Sequence, residues 1–139
     1  MHLIEIHLKD ENKSSTVCRA AHLSPAYGIE GNAPSKRERQ VSLLAGELLP
    51  GLRDIGGLCT GKFDANFLTE GLDYSRLSPG TRLFIGGAAL EITSAGKRCF
   101  DECPLRQRGE RCPLPDNCAF ARVAAEGDVA AGNEITLAE

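Results

Sequence analysis

Residues 3–8 read Leu-Ile-Glu-Ile-His-Leu, so that Leu3 or Ile4, then Ile6 and Leu8, alternate with Glu5 and His7. A period of two is the mark of a strand with one wet face. The polar residues 10–15 predict a turn, and an extended pattern resumes over residues 16–23, which makes a first hairpin. Residues 24–34 contain Pro25, Gly28, Gly31 and Pro34 and predict a loop. Residues 35–39, Ser-Lys-Arg-Glu-Arg, are charged and predict an exposed segment. Residues 40–45 fit either a strand or the start of a helix, because short apolar runs do not separate the two. Residues 46–55 predict a short helix, with Pro50 near its first turn or bending it, and Gly56-Gly57 ends it. Residues 62–69 alternate loosely and predict a strand that carries Asn66.

The clearest local signal comes later. Leu77-Ser78-Pro79-Gly80 is a turn in which proline sets φ and glycine takes a positive φ. Residues 81–85 then form a strand, Gly86-Gly87 a two-residue hairpin connection, and residues 88–93 the returning strand. Residues 119–125 are apolar with Arg122 interrupting, Glu126-Gly127-Asp128 predicts a turn, and residues 135–137 a closing strand. Residues 78–85 are echoed weakly by residues 130–137: Ser-Pro-Gly-Thr-Arg-Leu-Phe-Ile against Ala-Ala-Gly-Asn-Glu-Ile-Thr-Leu. Two such turn-plus-strand units predict two rim hairpins of one barrel. Short strands, with 15 glycines and 7 prolines between them, predict a mainly β, barrel-like fold with one or two short helices.

Composition narrows the function classes. The 139 residues fit a single domain over 1–139, large enough to bury one core. A net charge of −3 argues against a general nucleic-acid footprint, and no apolar run approaches a membrane span. Residues 1–7 lack the basic and long apolar regions of a secretory signal. The expected compartment is the cytoplasm, where clustered cysteines are more often catalytic or metal-binding than disulfide-bonded.

Four of the six cysteines fall in residues 96–118: Cys99, Cys103, Cys112 and Cys118. Lys97, Arg98, Arg106, Arg108 and Arg111 lie among them, and positive charge favours the thiolate. A thiol with pKa near 8.5 is only about 3% ionised at pH 7, and lowering the pKa to about 7 ionises roughly half. This segment is the candidate functional loop, with Cys99, beside Lys97 and Arg98, as its leading thiol. Cys103 and Cys112 are candidate resolving thiols or co-ligands. Cys118, against Ala119-Phe120-Ala121, reads as a buried core thiol, and Cys18 and Cys59 as structural. The spacing C-x3-C, x8, C-x5-C departs from the C-x2-C pairs of zinc ribbons. It leaves zinc or an iron-sulfur cluster open, which would make the loop a structural or redox-sensing module without transfer activity. His2, His7 and His22 lie on expected strands far from this loop and carry no functional expectation.

In series, several phrases resemble the MOSC domain, the module named for the C-terminal part of molybdenum-cofactor sulfurases, and in particular its small stand-alone bacterial members. They are Gly28-Ile29-Glu30-Gly31-Asn32-Ala33, Arg39-Gln40-Val41-Ser42-Leu43-Leu44-Ala45, Asn66-Phe67-Leu68-Thr69-Glu70-Gly71-Leu72-Asp73, Pro79-Gly80-Thr81-Arg82-Leu83-Phe84-Ile85-Gly86, Leu90-Glu91-Ile92-Thr93, Gly96-Lys97-Arg98-Cys99 and Phe120-Ala121-Arg122-Val123. The resemblance implies a cytoplasmic β-barrel-like domain that handles the pyranopterin molybdenum cofactor or the sulfur destined for it. Cys99 takes the position of the sulfur carrier or metal ligand, with Cys103 as its rival in both roles. The phosphate of such a cofactor is anionic, so Arg39, Lys97, Arg98 and Arg122 become candidate contacts, and Arg106, Arg108 and Arg111 either join them or form a solvated charged loop. Asn66 and Thr69 can hydrogen-bond a pterin edge or cap a turn. Two departures stand out: Gly31-Asn32-Ala33-Pro34 replaces the Gly-Asp-Ala-His of many stand-alone members, and Gly132-Asn133 replaces Gly-Asp. With no cysteine desulfurase domain present, the implied partners are a separate desulfurase or other sulfur donor and a molybdenum enzyme as acceptor. The activity class implied is sulfurtransferase-like.

Overall fold

A computed structural model describes residues 1–10, 15–32, 40–48, 65–95 and 117–138. The strands in chain order are β1 (His2–Lys9), β2 (Ser15–Cys18), β3 (Ala20–Ser24), β4 (Gly28–Ile29), β5 (Val41–Ala45), β6 (Phe67–Glu70), β7 (Arg82–Ile85), β8 (Ala88–Ala95), β9 (Cys118–Ala125), β10 (Gly127–Ala130) and β11 (Ile135–Ala138). The described helical turns are two short 3-10 segments, Gly46–Leu48 and Tyr74–Arg76. The fold is mainly β, as the spacing of short strands implies. Its principal sheet runs β11-β7-β8-β9-β5-β6-β1-β2, and a small sheet runs β10-β3-β4.

The large sheet curls. Leu3 donates its N–H to Asn133 O at 2.9 Å, Ile135 to Met1 O at 2.8 Å and Gly132 to Leu3 O at 2.6 Å, which brings β1 round to the residues flanking β11. The hollow is filled by side chains from one face of each strand. Leu3 and Ile6 enter from β1, Leu43 from β5, Phe67 from β6, Leu83 and Ile85 from β7, Leu90 and Ile92 from β8, and Ile135 from β11, all with 0–1% of their surface exposed. Burying a side chain of this size contributes about 1.5–3 kcal/mol. The ambiguity between Leu3 and Ile4 is resolved by a bulge: the β1–β6 register shifts between Leu3 and Glu5, so Leu3 and Ile6 both face inward while Ile4 turns partly outward.

The hairpin at Gly86-Gly87 forms as expected, with Ile85 opposite Ala88 and Arg82 opposite Glu91. So does the first hairpin, β1 against β2. The expected extended run over residues 16–23 is cut at Arg19, because β2 pairs with β1 in the large sheet while β3 pairs with β10 in the small one. Residues 40–45 resolve as a strand whose five residues are all buried, covered on both faces. The expected helix over 46–55 begins as the 3-10 turn Gly46–Leu48, and residues 49–64 lie outside the described part. The echoed units are not two separate rim hairpins: their strands, β7 and β11, pair with each other, Ile85 opposite Ile135. Their turns match in backbone, with φ +98° at Gly80 and +96° at Gly132. Where a turn was expected at Glu126-Gly127-Asp128, strand β10 begins at Gly127.

Candidate functional site

The cysteine-rich segment is framed by β8 and β9. These strands pair antiparallel, with Ala95 opposite Ala119, so the chain leaves β8 and re-enters β9 at neighbouring points. The re-entry is fixed from the other side as well: Ala45 donates its N–H to Asn117 O at 2.9 Å, and Leu44 sits opposite Cys118. β5 in turn runs parallel to β6, with Ala45 opposite Thr69. Four strands thus deliver Ala95, Asn117, Ala45 and Thr69 to one edge. Cys99, Cys103 and Cys112, together with Arg39, Lys97, Arg98, Arg106, Arg108, Arg111 and Cys59, lie outside the described residues.

One buried polar pair marks this edge. Thr69 Oγ1 and Tyr74 Oη are 2.7 Å apart, and Thr69 Oγ1 also reaches Leu44 O at 3.5 Å. Tyr74 is delivered by the second 3-10 turn, which starts because Asp73 caps it: the Asp73 carboxylate accepts from Ser75 N at 3.0 Å and Ser75 Oγ at 2.6 Å. Those two bonds, with Arg76 nearby, hold the Asp73 carboxyl below its usual range even though burial acts the other way. The Tyr74 phenol is pushed well above its usual range, first by burial and then by the charges of Cys118 and Glu47, against the Thr69 bond. It is therefore a neutral hydrogen-bonding group at physiological pH. Glu47 also ties down the chain after β6, accepting from Gly71 N at 2.9 Å. Gly46 is closely packed just after β5, where a Cβ would lie 3.0 Å from Thr69 O and press on the flexible end of the Ile4 side chain.

The expected site residues that are described separate from one another. Thr69 is fully buried at the edge just outlined. Asn66 stands at the other end of β6, where its amide is used up by the protein. Its Oδ1 accepts from Ser42 N and Ser42 Oγ, at 3.1 and 3.0 Å. Its Nδ2 donates to His7 O and Asn32 Oδ1, at 3.0 and 3.2 Å. A pterin edge would have to break these bonds to reach that amide. Arg122 lies four residues along β9 from Cys118, about 13 Å at strand rise, with Glu91 accepting from its Nε at 3.2 Å and its Nη2 at 3.0 Å. Cys118 is 1% exposed, as its apolar neighbours imply, and it faces away from Ala119, Ala121 and Val123, in register with Leu44 and Leu68. Among the described residues no group of three His, Cys, Asp or Glu is placed to hold a metal ion. The two thiols expected to ligate molybdenum, Cys99 and Cys103, lie in residues 96–116.

Two features escape sequence reasoning. Tyr74 carries no local signal beyond the Asp73-x-Ser75 cap. His22, on β3, has both ring nitrogens bonded to carboxylates from the far end of the chain, Asp128 and Glu126.

Comparison with known proteins places the fold. The family model described as MOSC domain matches residues 6–136. Among solved structures, the YuaD protein from Bacillus subtilis superposes with a TM-score of 0.66 at 18% identity, over 98% of this chain and 94% of that one. YiiM from Escherichia coli gives 0.64 at 16% identity, over 100% and 70%. YiiM from Geobacillus stearothermophilus gives 0.61 at 14%, over 99% and 75%. No curated protein matches by sequence. No helix of the described residues is long and apolar enough to cross a membrane.

Proposed function

The chain belongs to the MOSC domain family, and from that premise we propose that it is a sulfur carrier for the molybdenum cofactor, sulfurtransferase-like in its chemistry, with Cys99 as the carrier. The observation that supports this reading is the framing of residues 96–116. A segment holding three cysteines among lysine and arginine starts and ends on paired strands, Ala95 opposite Ala119, with Asn117 bonded to β5. Reactive groups presented on a loop by a rigid sheet are a common way to combine access with precision.

The chemistry asked of Cys99 is thiol exchange. Its thiolate attacks the outer sulfur of a donor persulfide, the donor S–S bond breaks, the donor leaves as a thiolate that takes up a proton, and Cys99 is left as a persulfide. Lys97 and Arg98 flank it and favour the ionised form. Cys103 is its alternate, as carrier or ligand, and Cys112 the thiol that can resolve it. Arg39, Lys97, Arg98 and Arg122 supply cationic contacts for an anionic pterin phosphate, and the cofactor, when bound, is the acceptor of the sulfur. A cysteine desulfurase or similar donor lies upstream and a molybdenum enzyme downstream. Asn66 and Thr69 serve this reading through the scaffold, holding β6 to β5 and β1.

The test is incubation with a cysteine desulfurase and cysteine, followed by intact mass under non-reducing conditions. One sulfur atom is expected to add to the native chain and to be lost in Cys99→Ala. Failure of sulfur to add, or equal addition after Cys99→Ala and Cys103→Ala together, overturns the proposal. So does stoichiometric zinc held by the loop cysteines after anaerobic purification.

A further inference from the structure

We infer that His22, held as an imidazolium between Asp128 and Glu126, is a pH-dependent clamp that locks the small sheet against the β7–β8 turn. His22 Nδ1 lies 2.7 Å from Asp128 Oδ1, and Nε2 lies 2.7 Å from Glu126 Oε2. Neutral imidazole has one N–H and one lone pair, so it donates to one carboxylate and turns its lone pair on the other. Only the doubly protonated ring satisfies both. The partners come from different places in the chain: His22 and Asp128 are directly opposite across β3 and β10, and Glu126 sits where β9 gives way to β10.

The clamp acts at a junction between the sheets. Asp128 binds His22 with its side chain, while its backbone carbonyl accepts from Gly87 N at 3.0 Å, in the β7–β8 turn. Beside it, Gly127 is packed so tightly that a Cβ would lie 2.1 Å from Gly87 O. The His22 carbonyl accepts from Glu30 N at 2.9 Å, which carries the same strand pair on to β4. Proton loss from the ring therefore weakens the side-chain bond that fixes Asp128, the residue whose carbonyl makes the contact with Gly87 N.

The groups around the ring favour its charged form. Asp128 faces it from β10 and Glu126 from the residue between β9 and β10, and their hydrogen bonds, Asp128 first, hold His22 above the usual histidine range against a smaller effect of desolvation. Glu30 follows β4, and together with Glu126 and, foremost, burial it raises the neighbouring Tyr27 phenol, which stays neutral. Of the strands packed behind, β9 brings Arg122 and β8 brings Glu91, and these two are paired with each other. Because the folded value is raised, the clamp is fully engaged below the unfolded histidine value of about 6.5 and is lost as pH rises through the higher folded value.

The experiment is NMR on the full chain: the His22 ring titration alongside amide exchange at Gly87, expressed as protection factors so that the intrinsic pH dependence of exchange is removed. The expected result is a His22 midpoint above that of free histidine, with a several-fold fall in Gly87 protection that tracks it. In His22→Gln the Gly87 protection is expected to be flat over the same range. Asp128→Asn and Glu126→Gln are each expected to lower the midpoint, and these variants carry the test if His22→Gln does not fold. An ordinary His22 midpoint, a Gly87 protection that ignores it, or the same pH dependence in His22→Gln overturns the inference.

Discussion

The two ends of β8 are held in different ways. At its start the strand follows a two-residue turn, Gly86-Gly87, pressed against β10 with Gly87 N bonded to Asp128 O. Two residues along, Gln40 spends its amide on the protein, accepting from Val123 N, opposite Leu90, at 2.9 Å and donating to Pro25 O at 3.0 Å. At its end β8 passes into residues 96–116, and the strands there carry the Ala45–Asn117 backbone bond, the Thr69–Tyr74 pair, Thr93 Oγ1 donating to Phe120 O at 3.2 Å and, level with Ser94, the Ser42–Asn66 bonds. The start leaves no room for a Cβ at Gly127, whereas the end is a frame of paired strands from which residues 96–116 depart. The proposed sulfur-carrier role draws on that frame, because a rigid origin limits the entropy lost in positioning a reactive group.

The harshest way to break the comparison is at the start. Gly127→Ala places a methyl group into Gly87 O and Ala88 N, both backbone atoms, so relief requires the strands to part. The expected loss is about 3 kcal/mol, read as a fall of about 10 °C in melting temperature for a chain of this size. Melting with the native chain would mean that the start of β8 is not held by this contact. Asn66→Ala, level with Ser94 towards the other end, comes next, at about 2–3 kcal/mol, because it removes the partner of Ser42 N and His7 O. Denaturant unfolding checks it, and Asn66→Asp should be nearly as damaging, since a carboxylate cannot donate to His7 O.

How far each end was legible follows from the range of its interactions. The β7–β8 hairpin shows in the sequence because Gly86-Gly87 and the alternation around it are local. β10 does not, because Gly127-Asp128 has the composition of a turn and becomes a strand only through Ala20–Ser24, about a hundred positions earlier. The break at Arg19 and the His22 clamp are hidden for the same reason. Asn66 was expected inside a strand but stands just before β6, which begins at Phe67, and its partners, Ser42, His7 and Asn32, are distant in sequence, so an internal pin was indistinguishable from a ligand contact. The thiols of residues 96–116 stand out in the sequence by their clustering with lysine and arginine. Their framing became visible only with the pairings of Ala95 and Asn117.

At the end of β8 the expected sensitivity is smaller. Tyr74→Phe removes a single buried hydroxyl while Thr69 keeps Leu44 O as an acceptor. The expected cost is about 1 kcal/mol, measured by chemical unfolding with sulfur loading as the second readout. Loading should persist, since the frame of β8, β9 and β5 does not depend on the phenol. A loss on the scale of Gly127→Ala would show that this end is as tightly constrained as the start.

The smallest effect is expected midway along β8, where Glu91 is paired across the strands with Arg122 and, at 3.8 Å, with Arg82. The two closer groups are part-exposed, 24% for the Glu91 side chain and 35% for Arg122, so solvent and salt screen their attraction. Arg122→Gln should cost about 0.5 kcal/mol or less, and the difference should shrink as salt is raised. A double-mutant cycle with Glu91→Gln isolates the pair from the packing of the arginine stem. If the coupling stays below about 1 kcal/mol, Arg122 can exchange Glu91 for an anionic ligand at little expense in stability, which is what a cofactor contact at this position requires. A coupling of several kcal/mol would instead make it a structural pin like Asn66, and the constraint seen at the start of β8 would extend to its middle.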